Sequence, residues 1–128
     1  MQTRYLATQA STHGRLGLYR VDMGPEQAGP GPHFHRTMSE AFFILSGALR
    51  LFDGDQWIDG TAGDFFYIPE GGVHAFRDES RQPVSMLMPK RRWRGSLSVT
   101  TATSCRRRIG QRYPVVSGGL PASWTSTR

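Results

Sequence analysis

The chain has 128 residues, 38% of them hydrophobic, 11% aromatic and 20% charged, and a formal net charge of +6. That length leads to the expectation of one domain rather than a large multi-domain enzyme, and the composition suits a folded globule rather than a disordered chain. The charge is split: residues 1–81 carry seven basic and ten acidic side chains, whereas residues 82–128 carry nine basic ones and no acid. The excess therefore belongs to a tail, which removes the usual whole-chain argument for nucleic-acid binding.

Residues 1–20 lack the apolar stretch of a secretory signal. No run approaches the ~20 apolar residues of a membrane span. The single cysteine, Cys105, allows neither an internal disulfide nor a cysteine metal motif. These features lead to the expectation of a cytoplasmic protein.

Residues 15–23 alternate loosely and read as a first strand. Residues 24–32, GPEQAGPGP, hold three glycines and three prolines, which excludes helix and central strand and leaves a stiff loop. Two apolar runs follow within residues 33–52, separated by Ser46-Gly47, the signal of a hairpin. Asp53-Gly54-Asp55 turns the chain into residues 56–59, and a turn at 60–63 leads to the aromatic strand FFYI, which stops at Pro69. Gly71-Gly72 turns into residues 73–77, and residues 83–88, PVSMLM, make one more strand. Short strands about every ten residues, with turn chemistry between them, predict an all-β sandwich or barrel.

From residue 89 the composition shifts to arginine clusters with serine, threonine and glycine, and only 98–101 and 113–116 read as strand. The expected organisation is a barrel domain over 1–88 and an irregular basic tail over 89–128. The abrupt loss of acids suggests that the tail is non-native sequence, such as a GC-rich gene read in the wrong frame, or is partly disordered. Arg91, Arg92, Arg94 and Arg106–Arg108 lack the aromatic interleaving of a nucleic-acid site, so no such partner is expected.

His33 and His35 are two apart, a spacing that points side chains to one face of extended chain. Glu40 shares the parity of Phe42 and Ile44, and His74 that of Phe76. A carboxylate among apolar neighbours needs a cation or a donor. One metal ion held by His33, His35, Glu40 and His74 is the economical solution. His13, outside this set, reads as a surface residue. The Asp53, Asp55 and Asp59 group lacks the terminal glutamate of a calcium loop and reads as turn chemistry.

The spacings carry more than the residue types. Residues 33–47 read H-x-H-x4-E-x6-G through His33, His35, Glu40 and Gly47, and residues 63–74 read G-x5-P-x-G-x2-H through Gly63, Pro69, Gly71 and His74. On these motifs the chain resembles a small single-domain cupin of the conserved-barrel type, similar to quercetin-dioxygenase-like members. It departs from the family at Gln27, where glycine is frequent, and at Asp78, where asparagine is. The resemblance implies a double-stranded β-helix, a jelly-roll barrel of two antiparallel sheets, with the metal inside one mouth. It also implies pairing into a homodimer.

Three imidazoles and one carboxylate leave an octahedral ion two open positions, which suits Fe, Mn, Ni or Co, with Zn as a lower-coordinate alternative. Phe42, Ile44, Phe76, Met86 and Met88 are the expected walls of an apolar substrate pocket. The reading that follows is a metal-dependent dioxygenase for a small phenolic or enolised substrate, with Glu40 as its catalytic carboxylate. A Lewis-acid isomerase or polyketide cyclase, and a small-ligand-binding barrel without turnover, are the alternatives.

Overall fold

A computed structural model describes residues 1–92. The expectations for residues 93–128, including the strands at 98–101 and 113–116 and the role of Trp93, lie outside the described residues. Eight strands occupy the described residues: β1 (Gln2–Ala7), β2 (Gly17–Met23), β3 (Met38–Ser46), β4 (Ala48–Phe52), β5 (Trp57–Thr61), β6 (Phe65–Ile68), β7 (Ala75–Arg77) and β8 (Val84–Arg92). They form a five-stranded sheet, β1-β2-β8-β3-β6, and a three-stranded sheet, β5-β4-β7, with every pairing antiparallel.

Period-two alternation decides which side chains enter the space between the sheets. Val21 and Met23 of β2, Phe42 and Ile44 of β3, Phe66 and Ile68 of β6, and Met86 and Met88 of β8 come from the larger sheet. Leu49 and Leu51 of β4 and Phe76 of β7 meet them from the smaller one. Each such side chain stabilises the fold by about 1.5–3 kcal/mol when fully buried. The alternation thus outweighs the weak strand propensity of a segment such as β7, only three residues long.

The structure corrects the hairpin expected at Ser46-Gly47. β3 pairs with β6 and β8, whereas β4 pairs with β5 and β7, so the chain crosses here from one sheet to the other. Gly47 makes the crossing possible. Its φ is +79°, and a Cβ there would overlap the Pro83 carbonyl oxygen and come within 2.9 Å of Val84 Cα. The true hairpin lies one turn later, where Asp53 Oδ1 accepts from the backbone N–H of Asp55 and Gln56 and returns β4 into β5. Asp53 is thus a turn residue, and Asp59 pairs with Arg50.

Two strands differ in extent from the sequence reading. β1 falls where no strand was expected; it is an edge strand, exposed along nearly its whole length. β8 continues to Arg92, past the barrel boundary expected at residue 88.

Residues 24–35 form no regular strand, yet their backbone follows the free edge of β7. Asp78 N–H donates to Gln27 O at 2.9 Å, Gly29 N–H to Phe76 O at 3.1 Å and Gly71 N–H to His35 O at 2.8 Å. Pro25, Pro30 and Pro32 supply no N–H, which is tolerated because this strap is an edge. Gln27 and Asp78, the two positions that depart from the family pattern, are thus bonded to each other through the backbone.

Candidate metal centre

The strap delivers two histidines to the third. His33 and His74 form an isolated antiparallel bridge, and His35 lies one pleat further along the same segment. Glu40 enters from β3 on the same inward parity as Phe42 and Ile44. His33, His35, Glu40 and His74 thereby present one donor atom each, all within 4.8 Å of one another. Two donors bound to one ion at ~2.1 Å are at most about 4.2 Å apart, so the set needs only a small contraction to close on a metal.

Backbone carbonyls aim two of the rings. His33 Nδ1 lies 2.8 Å from Gly31 O and His74 Nδ1 lies 2.9 Å from Gly72 O. A carbonyl only accepts, so each Nδ1 carries the proton and each Nε2 is presented to the centre. His74 Nε2 and His35 Nε2 lie 2.8 and 3.2 Å from the same oxygen, Glu40 Oε2. Both nitrogens of His74 thus face acceptors, one more than a neutral imidazole has protons to satisfy. A cation between Nε2 and the carboxylate resolves that mismatch, and the donor set fits a divalent transition metal.

Glu40 and His74 are almost completely buried, at 2% and 0% exposure. Burial pushes the Glu40 carboxyl up, but the His74 ring and the Lys90 ammonium outweigh it and hold the group at about 2. Burial lowers His35, and the neighbouring Glu40 offsets only part of that effect. The carboxylate stays ionised and His35 favours its neutral form, the states that bind a metal.

A cavity of about 330 Å³ opens beside Glu40 and His33. Of the residues expected to wall a substrate pocket, Phe76 and Met88 line this cavity. Phe42, Ile44 and Met86 do not: they are fully buried deeper in the barrel, where Ile44 and Met86 are cross-strand partners and Phe42 packs its ring against His74 and Phe76. The sequence reading missed the rest of the wall, which is Thr3 and Tyr5 of β1, Tyr19 and Val21 of β2, Pro30 of the strap, Met1 and Lys90. Parity was the available signal for Lys90, since it continues the inward series of Met86 and Met88. Its Nζ stands 2.9 Å from Glu40 Oε1, an ion pair that falls short of an aligned hydrogen bond. His13 is exposed, as expected of a surface residue, and Trp57 packs against Phe52 and beneath the Arg77 guanidinium.

Residues 19–89 match the family described as Cupin_2, cupin domain. The chain belongs to the cupin family. This cupin is 30% identical over 88 residues to quercetin 2,3-dioxygenase of Bacillus subtilis (strain 168), a match covering 67% of the chain and 26% of that protein. It is 33% identical over 79 residues to germin-like protein subfamily 2 member 3 of Arabidopsis thaliana, covering 56% of the chain and 35% of the relative. The chain therefore spans about a quarter to a third of the curated relatives it matches. Among solved structures it is similar to a predicted oxalate decarboxylase from Thermotoga maritima, with a TM-score of 0.67, 20% identity, and coverage of 70% of this chain and 78% of that one. That likeness is one of fold. Among the described residues no helix is long and apolar enough to cross a membrane.

Proposed function

We propose that this cupin is a metal-dependent dioxygenase acting on a small phenolic or enolised substrate. The observation that carries the reading is the juxtaposition of the four-donor cluster with the 330 Å³ cavity, whose walls include Tyr5, Tyr19, Phe76 and Met88. The similarity to quercetin 2,3-dioxygenase supports it. Fe, Mn, Ni or Co suits the donor set, and Zn would use fewer positions.

His33, His35, Glu40 and His74 would hold a divalent metal, which would supply Lewis acidity and redox chemistry beside the cavity. The chain's own residues provide the rest. Gly31 O and Gly72 O fix the His33 and His74 rings. Glu40, held at about 2, is a poor proton acceptor at neutral pH, so its proposed catalytic contribution is that of an anionic ligand. Phe76 and Met88 exclude water from the inner side of the cavity.

The test is metal content as isolated, followed by oxygen uptake with flavonols and other enolisable phenols after reconstitution with each metal. Oxygen uptake matched to substrate loss is expected. Product without oxygen uptake would move the reading to an isomerase or cyclase, and ligand-induced stabilisation without product to a binding barrel. We also propose a homodimer, supported by the outer edge of β1, which no other strand pairs among the described residues, with Tyr5 69% and Leu6 55% exposed. A monomeric mass by light scattering would exclude it.

A further inference from the structure

We infer that Lys90 is a specificity-determining residue: its ammonium pairs with an ionised oxygen of a small anionic ligand in the cavity beside Glu40. The inference rests on that cavity being the substrate site of the reading above.

Lys90 is the only lysine in a chain whose other fifteen basic residues are arginines. It stands on β8 opposite Glu40 of β3 on one side and Gly17 of β2 on the other. Its Nζ is 2.9 Å from Glu40 Oε1, while Oε2 of the same carboxylate faces His35 and His74. The ammonium thus lies on the side of Glu40 away from the imidazoles and on the wall of the cavity. Its pairing with Glu40 falls short of an aligned hydrogen bond, and among the described residues no other anion meets its three N–H donors.

The charge balance gives the ligand class. Three neutral imidazoles, one carboxylate and one ammonium sum to zero, so a bound divalent ion leaves the site at about +2 rather than the +1 of a site without the lysine. Among the described residues Glu40 is the only acid on the cavity wall. An anion gains from that field and a neutral ligand of the same shape does not.

The neighbours fix where the ammonium can be. Tyr19 leans over Gly17, where a Cβ would come within 2.7 Å of its hydroxyl oxygen. The ring then lies 5.8 Å from Lys90 Nζ, within cation–π range. Lysine also suits the task better than arginine. A guanidinium would fork onto Glu40 with two parallel bonds, whereas a compact ammonium keeps donors for a ligand.

The test uses benzoate and benzamide, which share a shape and differ in charge, titrated by calorimetry into the metal-loaded protein and its Lys90→Met and Lys90→Arg variants. The benzoate preference of the native protein should exceed that of Lys90→Met at least tenfold, with one metal bound in both and Lys90→Arg between them. In protein labelled with [15N]lysine at Nζ, the single side-chain ammonium resonance should move with benzoate saturation and not with benzamide. This readout stands even if a variant fails to fold. An equal preference in native protein and Lys90→Met, a resonance unmoved by benzoate, or loss of the metal from Lys90→Met would each overturn the inference, the last because Lys90 would then act through Glu40. Anion selection through Lys90 without oxygen uptake would leave it standing and overturn only the dioxygenase reading.

Discussion

His33 and His74 exchange both backbone hydrogen bonds, His33 N–H donating to His74 O at 3.0 Å and His74 N–H to His33 O at 2.8 Å. The same two residues offer their rings to the centre. One short bridge therefore couples the proline-rich strap to β7 and sets the spacing of two candidate metal ligands.

Metal binding should for that reason stabilise the whole smaller sheet. Free metal at 100 times its Kd adds about 2.7 kcal/mol. For a domain of this size that corresponds to a rise in Tm on the order of 10 °C. Differential scanning calorimetry before and after chelation measures it. An unchanged Tm would show that the four donors do not hold an ion in solution.

Stability of the metal-free protein should decline as the pH is lowered. The Glu40 carboxyl is held at about 2 against an ordinary 4.5, and His35 lies below its ordinary 6.5. Between those limits the unfolded chain binds more protons than the folded one, so stability rises with pH. The His35 contribution is complete above 6.5 and declines below it; the Glu40 contribution, on the order of 3 kcal/mol, is lost from about 4.5 towards 2. Urea unfolding after chelation at pH 7, 5 and 3 should show the decline, with a shallower slope in Glu40→Gln. A parallel slope in that variant would remove Glu40 as the source.

The strands were legible because burial and turn chemistry agree locally. Glu40, Phe42 and Ile44 alternate inward, and Asp53-Gly54 closes a turn by its own side-chain bonds. The division into two sheets was not legible, because Ser46-Gly47 looks the same whether the next strand folds back or crosses over. What decides is the Pro83 backbone lying against Gly47, a contact far away in sequence. β1 was missed because an exposed edge strand has no contrast between its faces. The clustering of His33, His35, Glu40 and His74 was legible by type and spacing. Lys90 was not, because the compositional break at residue 89 drew the barrel boundary inside β8, where strand parity still held.

Gly47→Ala should therefore be among the costlier single-methyl additions in the barrel. A φ of +79° costs alanine about 1–2 kcal/mol, before its Cβ meets the Pro83 carbonyl. A total loss of about 2 kcal/mol or more is expected from urea unfolding. A loss below 1 kcal/mol would mean that the Pro83 segment yields easily, and that the crossing between the sheets does not depend on glycine.

Met86 and Met88 lie on the same face of β8 but do different work. Met86 is fully buried opposite Ile44 and Val21, whereas Met88, opposite Tyr19, reaches the cavity wall. Met86→Ala opens a void inside close packing and should cost about 2–5 kcal/mol, with ligand affinity nearly unchanged. Met88→Ala enlarges a space that already exists, so it should cost less, about 1–2 kcal/mol, and weaken benzoate binding several-fold. Urea unfolding and calorimetric titration on both variants separate the two roles. If Met86→Ala weakened benzoate as much as Met88→Ala, the cavity would extend deeper into the barrel than its present walls.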